Sequence, residues 1–236
     1  MFNRTIINDL KHWKEQKDRK PLMMLGARQV GKTSVLKRFG RECFEHCVYF
    51  SLDEEAGVCD IFRTTKNPTQ IIEQLSYLTD EPILPEKTLL VLDEIQDCPE
   101  AISSMKYFCE KTPEYAIACA GSLLGLAFGH EGFSFPVGKV DHINMYPVTF
   151  SEFLEQKDSG LYRYYKSIDS IEPLPQVFFD RLSQAFTAYR ISGGMPEAAM
   201  KMIEVDMKGV ETKLQNILQD YTLDFVKHAT PQLANR

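Results

Sequence analysis

The stretch Gly26-Ala27-Arg28-Gln29-Val30-Gly31-Lys32-Thr33, with Ser34 directly after it, satisfies the pattern GxxxxGK[ST] at every fixed position. That spacing supports the capture of a polyphosphate. Glycines let the backbone turn tightly enough to aim several N–H groups at one point, and a helix that starts at the lysine adds the positive end of its dipole there. Farther along, Thr88-Leu89-Leu90-Val91-Leu92 runs straight into Asp93-Glu94. Lys32, Thr33, Asp93 and Glu94 are the minimum set for nucleoside triphosphate chemistry: Lys32 on the β- and γ-phosphates, the Thr33 hydroxyl and Asp93 on Mg²⁺. Glu94 has a separate task. A carboxylate beside the metal-holding Asp can orient and deprotonate the attacking water, which favours hydrolysis over transfer to a small molecule.

Ser122 closes another apolar run, Tyr115 to Ala120 then Gly121, and is expected on the same edge as a phosphate or water sensor, although a hydroxyl there also suits a helix cap. Arg28 either reaches a phosphate or points to solvent. Two rival motifs fail. Ile191-Ser192-Gly193-Gly194 echoes the LSGGQ signature of transporter ATPases but lies far beyond the acidic strand, and N-K-x-D, the guanine reader, occurs nowhere. Adenine is the expected base.

The elements that must hold these residues follow from periodicity. Leu22 to Leu25 is a short strand ending at Gly26, and Val35, Leu36 and Phe39 mark a helix that Gly40 is placed to stop. Val48 to Leu52 is a second strand. Asn67-Pro68 opens a helix with an N-cap and an N1 proline, and its buried face is Ile71, Ile72, Leu75 and Leu78. The run into Asp93 is apolar at consecutive positions, as strands covered on both faces are in parallel sheets, and ligands gather at the carboxyl ends of such strands. A helix from Pro99, with Ala101, Ile102, Met105, Phe108 and Cys109 on one face, precedes the Ser122 strand, and Val137 to Val148 supplies a last strand and turn. Ahead of them all, Ile6, Ile7, Leu10 and Trp13 mark an amphipathic N-terminal helix with a basic, solvated face.

Thr149-Phe150-Ser151-Glu152 is a capping box, with Val148 and Phe153 set for a hydrophobic staple. Beyond it every apolar stripe is helical: Phe178, Leu182, Ala185, Phe186 and Tyr189, then Val210, Leu214, Ile217, Leu218, Tyr221 and Phe225. The expected domains are 1–148, an N-terminal helix and α/β core, and 149–236, all helical.

Composition excludes several classes. The 236 residues carry a net charge of −6, so no global field draws the chain to nucleic acid or anionic membrane. The aromatic-basic string Tyr162-Arg163-Tyr164-Tyr165-Lys166 leaves nucleic acid open without favouring it. Six cysteines with no C-x-x-C pair suit a reducing cytoplasm, and Cys43-Phe44-Glu45-His46-Cys47 has no second ligand pair at zinc spacing. The longest uncharged stretch, Ala116 to Gly129, is too short for a membrane span, and the start of the chain has no signal-peptide core.

In their order, the loop, Leu92-Asp93-Glu94-Ile95-Gln96, Ala120-Gly121-Ser122, Tyr146-Pro147 with Phe150-Ser151-Glu152-Phe153-Leu154, and Gly193-Gly194-Met195-Pro196-Glu197-Ala198 resemble a bacterial and archaeal group of AAA-type, STAND-like ATPases. The resemblance implies a P-loop core with a mainly parallel five-stranded sheet of order 5-1-4-3-2, plus an all-helical lid whose Gly194-Met195-Pro196 sets Pro196 near the adenine. It also implies Ser122 as sensor, ATP and Mg²⁺ as cofactors, and a C-terminal domain or protein partner not contained in this chain, with oligomers open. The chain departs from the group at Gly138-Lys139, where Gly-Arg is common, and Lys is no bidentate fork. Arg163 and Arg190 are arginine-finger candidates only by exclusion.

The expected function is therefore an ATP-hydrolysing, nucleotide-dependent conformational switch in which ATP bridges core and lid. The alternatives are a nucleotide-binding interaction module with negligible hydrolysis and, behind it, a small-molecule kinase.

Overall fold

A computed structural model of the chain describes residues 2–122 and 135–228. It resolves into two compact units, Ile6–Met145 and Tyr146–Lys227, the second joined by the N-terminal segment through Thr5.

In the first unit β1 (Leu22–Gly26), α2 (Lys32–Cys43), β2 (His46–Ser51), α3 (Ala56–Thr64), α4 (Pro68–Ser76), β3 (Thr88–Asp93), α5 (Pro99–Lys111), β4 (Ala116–Ser122) and β5 (Asp141–Met145) follow α1 (Ile6–Glu15). The strands form one sheet in the order β2-β3-β4-β1-β5, which is the expected 5-1-4-3-2 counted from the other edge. Every pairing is parallel. Parallel strands need crossovers, and helical crossovers cover both faces, so the central strands must be apolar throughout. β3 and β4 are buried at every residue.

Register then decides which side chains share the carboxyl edge. Gly26 pairs with Ser122 on one side and Met145 on the other. Ser51, the last residue of β2, pairs with Asp93. All these residues end their strands, so the sequence positions that looked reactive sit in one row.

The helices follow local chemistry. Asn67 caps α4 by accepting from the Thr69 N–H at 3.1 Å, with Pro68 at N1. α1 buries Ile6, Ile7, Leu10 and Trp13, and the Trp13 ring meets Phe39 of α2 at 6.3 Å. Two local expectations need correction. Gly40 does not stop α2, which continues to Cys43. A Cβ at Gly40 would lie 2.3 Å from Cys47 Sγ, so the glycine is where helix and strand approach each other. Leu78 is 54% exposed because α4 ends at Ser76, before the stripe reaches it. The helix α3 was not anticipated, although Val58, Cys59 and Phe62 on its inner face are fully buried.

The second unit holds α6 (Phe150–Lys157), α7 (Ser159–Lys166), α8 (Gln176–Ser192), α9 (Pro196–Ile203) and α10 (Met207–His228). The capping box forms in full: Thr149 Oγ1 accepts from the Glu152 N–H at 3.2 Å, and the Glu152 carboxylate accepts from the Thr149 N–H at 2.9 Å. Val148 and Phe153 share one apolar cluster, as a staple requires, and Phe2 joins it. The N-terminal segment is held by the same glutamate. Glu152 Oε1 accepts from Thr5 N at 2.7 Å and Thr5 Oγ1 at 2.9 Å, and Arg4 Nε pairs with Oε2 at 3.2 Å. Burial pushes this carboxyl up, but the Thr149 and Thr5 N–H donors and the Arg4 charge together outweigh it and hold the pKa below its ordinary value.

The helical stripes are only partly inward. Ala185, Val210 and Ile217 are buried, but Phe186 is 46% and Leu218 68% exposed, because each helix packs on a face narrower than its apolar stripe. Of Phe225 the side chain lies outside the described residues, as do positions 123–129 of the uncharged stretch. No described helix is long and apolar enough to cross a membrane.

Candidate functional site at the carboxyl edge of the sheet

Between β1 and α2 the loop adopts two left-handed residues, Gln29 at φ 62° and Gly31 at φ 95°. Such alternation turns successive N–H groups to one side, the arrangement that makes an anion nest, and no side chain caps the amides that open α2. Val30 between them is fully buried and anchors the loop. Gly26 is required by close approach rather than by φ: a Cβ there would sit 2.3 Å from Met145 O on β5. Met145 also lies along Gly31, its Cε 3.7 Å from where a Cβ would be. β5 therefore forms one wall of the loop.

Lys32 is buried, and its Nζ donates to Gly26 O at 3.1 Å and Ala27 O at 2.9 Å. Burial pushes its pKa down, the Glu94 and Asp93 carboxylates push it back up, and Arg28 adds a smaller lowering. The two carbonyls hold the Lys32 Nζ over the loop.

Thr33 Oγ1 donates to Asp93 Oδ2 at 2.5 Å, which ties the start of α2 to the end of β3. Asp93 is 3% exposed and fully engaged: the Tyr49 hydroxyl donates to Oδ2 at 3.1 Å and the Glu94 N–H to Oδ1 at 3.0 Å. Tyr49 is pushed up to about 12, first by burial and then by the Asp93 charge and hydrogen bond, with a Ser51 contact acting the other way. Its phenol therefore stays a donor at neutral pH. Lys37 Nζ stands 3.3 Å from the centre of the Tyr49 ring. The threonine hydroxyl and the aspartate are hard oxygen donors, the ligand type Mg²⁺ takes, so the pair fits that ion.

Glu94 leaves the strand in a left-handed conformation, φ 49° and ψ 45°, and a 3₁₀ turn (Ile95–Asp97) follows. For a glutamate this backbone costs on the order of 1–3 kcal/mol and needs support from its surroundings. Part of it comes from the Asp97 N–H, which donates to Glu94 O at 3.0 Å. Ser122 is 3% exposed at the end of β4, beside Gly26, and its N–H donates to Gln96 Oε1 at 3.2 Å.

Residues 26–34, Asp93, Glu94 and Ser122 are thus gathered at the carboxyl edge of β1, β3 and β4. Pro196 belongs to the helical unit, where it opens α9. Gly194 before it has φ 72°, and its carbonyl accepts from the Val148 N–H at 2.8 Å. Arg163 and Arg190 are exposed in that unit, and Lys139 of the first unit pairs with Glu110 at 2.8 Å. In the aromatic-basic string, Tyr164 stacks on Phe178 with ring centres 3.7 Å apart and Tyr165 meets Phe150 edge-on. Those rings serve packing. Sequence reasoning gave no role to Tyr49, Gln96 or Met145. Gln96 stood inside a quoted motif, but Tyr49 and Met145 carried no signal, since only strand pairing brings them to the loop.

Residues 18–154, more than half of the chain, match the family model described as AAA domain. No curated protein matches the chain. Solved structures with a similar course include the replication initiator DnaA bound to AMPPCP and single-stranded DNA, at 16% identity and TM-score 0.48, covering 96% of this chain and 68% of that one. PCH-2 of C. elegans is 10% identical with TM-score 0.46, covering 89% and 67%. RuvB of Thermotoga maritima is 13% identical with TM-score 0.45, covering 86% and 60%.

Proposed function

This chain belongs to the AAA domain family, and from that premise we propose that it is an ATP-hydrolysing switch of the STAND-like kind. The observation that carries the reading is the meeting of Thr33 and Asp93 at 2.5 Å, with Lys32 over the loop and Glu94 next in the chain. Two elements 60 residues apart in sequence meet there, which supports a shared task.

The division of labour follows. Backbone N–H groups of residues 27–33 and the Lys32 ammonium bind the phosphates of ATP. Thr33 and Asp93 hold Mg²⁺, which when bound neutralises charge on the phosphate oxygens. Glu94 orients a water and takes its proton as the oxygen attacks the γ-phosphorus and the bond to the β-phosphate oxygen breaks, releasing ADP and phosphate. Ser122 reports on the γ-phosphate. Pro196 and the helical unit act as the lid.

The switch is supported by chain connectivity. Met145 walls the loop at Gly26 and Gly31, and the next residue, Tyr146, already belongs to the helical unit. A shift of the loop against β5 is transmitted through one peptide bond. The second crossing, Thr5 to Ile6, lies beside it in bonding terms, because Arg4 Nη2 donates to Tyr146 O at 2.5 Å.

Two variants test the proposal. Lys32→Ala is expected to abolish Mg²⁺-dependent ATP binding. Glu94→Gln is expected to bind ATP normally and lose turnover by roughly 10²–10⁴-fold, the usual contribution of a general base. Equal turnover in the wild type and Glu94→Gln would sink the assignment.

A further inference from the structure

Gln96 is 6% exposed, and nothing in the reaction as described uses it. A buried side-chain amide must place one acceptor and two donors. Here Oε1 accepts from the Ser122 N–H at 3.2 Å, while Nε2 donates to Glu94 Oε2 at 2.5 Å and to Asp97 Oδ2 at 3.3 Å. Each end meets a partner of the right kind. Turned over, the amide would set nitrogen against an N–H and oxygen against two carboxylates, so the partners themselves fix its orientation. The residue it grips most closely springs from a left-handed backbone, and this bond holds its carboxylate.

We propose that Gln96 is the positioning residue of this site, aiming the Glu94 carboxylate and tying its place to the end of β4 at Ser122. The proposal rests on Glu94 being the base. One amide then joins the sensor strand to the base, so that a displacement of the Ser122 backbone is felt at the Glu94 carboxylate. Hydrolysis becomes conditional on the position of β4, while phosphate binding by the loop does not.

The test compares Gln96→Glu, Gln96→Met and Glu94→Gln in the full chain, reading single-turnover ATP hydrolysis, nucleotide affinity and melting temperature. Gln96→Glu keeps the acceptor for Ser122 and sets a like charge against Glu94. Gln96→Met keeps the length and removes both bonds. Both are expected to lose roughly 100-fold in turnover, the scale of a misplaced reacting group, with affinity within about threefold of wild type. The double variant Glu94→Gln/Gln96→Glu restores the bond with donor and acceptor exchanged. It should recover the melting temperature lost in Gln96→Glu without recovering turnover. Gln96 variants that turn over like the wild type while Glu94→Gln is inactive would overturn the proposal alone. So would a loss of turnover matched by an equal loss of affinity. Undiminished turnover in Glu94→Gln would overturn the assignment of the base and this proposal with it.

Discussion

Replacing Glu152 by alanine removes a carboxylate on which the N-terminal segment and the start of α6 both converge. Three hydrogen-bond donors lose their acceptor, Thr5 N, Thr5 Oγ1 and Thr149 N, and Arg4 loses its ion pair. The side chains of Arg4 and Glu152 are 7% and 3% exposed, so the substitution leaves a guanidinium in the interior without its carboxylate partner. Breaking a buried pair from one side costs about 3–5 kcal/mol, and that term dominates, since the lost half of a capping box is worth about 1 kcal/mol. Urea denaturation with two probes reads the effect. Far-UV circular dichroism follows the helices of both units, and the single tryptophan, Trp13, follows the α/β unit alone. The dichroism midpoint should fall and the fluorescence midpoint should move less. The effect also has a pH signature. Because folding lowers the Glu152 pKa from 4.5, its contribution is present above pH 4.5 and is lost as pH falls through the lowered value. Wild type should therefore lose its advantage over Glu152→Ala in that acid window. A loss under about 1 kcal/mol at neutral pH, or an advantage undiminished by acid, would refute the reasoning.

Gly26→Ala would place a Cβ 2.3 Å from Met145 O, and relief requires β1 and β5 to part by about an ångström. Nucleotide titration should show affinity reduced at least about tenfold in a folded chain, whereas unchanged affinity would show that the β5 wall does not shape the loop. Tyr49→Phe removes a donor to Asp93 and should cost about 1–3 kcal/mol at neutral pH. Folding raises the Tyr49 pKa from 10.0 to about 12, so that contribution is complete below pH 10.0 and is lost as pH rises through about 12. The denaturation midpoints of wild type and Tyr49→Phe should converge across that interval, and a gap that persists would count against the Tyr49–Asp93 bond.

What the sequence made legible was chemistry written in consecutive residues. The loop glycines with Lys32 and Thr33, the apolar run into Asp93 and the capping box at Thr149 each depend on neighbours within a few positions, and each forms as local rules require. Gly40 was misjudged for the opposite reason. A glycine after a helical stripe has the local look of a stop, and only the approach of Cys47 from another element reveals its purpose. Tyr49 and Gln96 escaped in the same way, since a tyrosine in an edge strand and a glutamine in a turn gain meaning from Asp93 and Ser122, brought near by register. Phe2 and Arg4 carried no signal of their own in the sequence, and only their burial beside Val148 and Glu152 groups them with the helical unit.

The sheet order has a consequence for how the chain comes together. β1 is made first among the strands, yet its two neighbours are β4 and β5, so Leu22 finds Ala118 and Asp141 only after about a hundred further residues exist. β2 and β3 can pair earlier, while the slot between β4 and β5 that β1 fills is still to be made. On a ribosome the nascent phosphate loop would emerge long before the strands that hold Gly26 in place. Its final geometry is set by the closing of that slot, which makes the most local motif in the sequence one of the last features to mature.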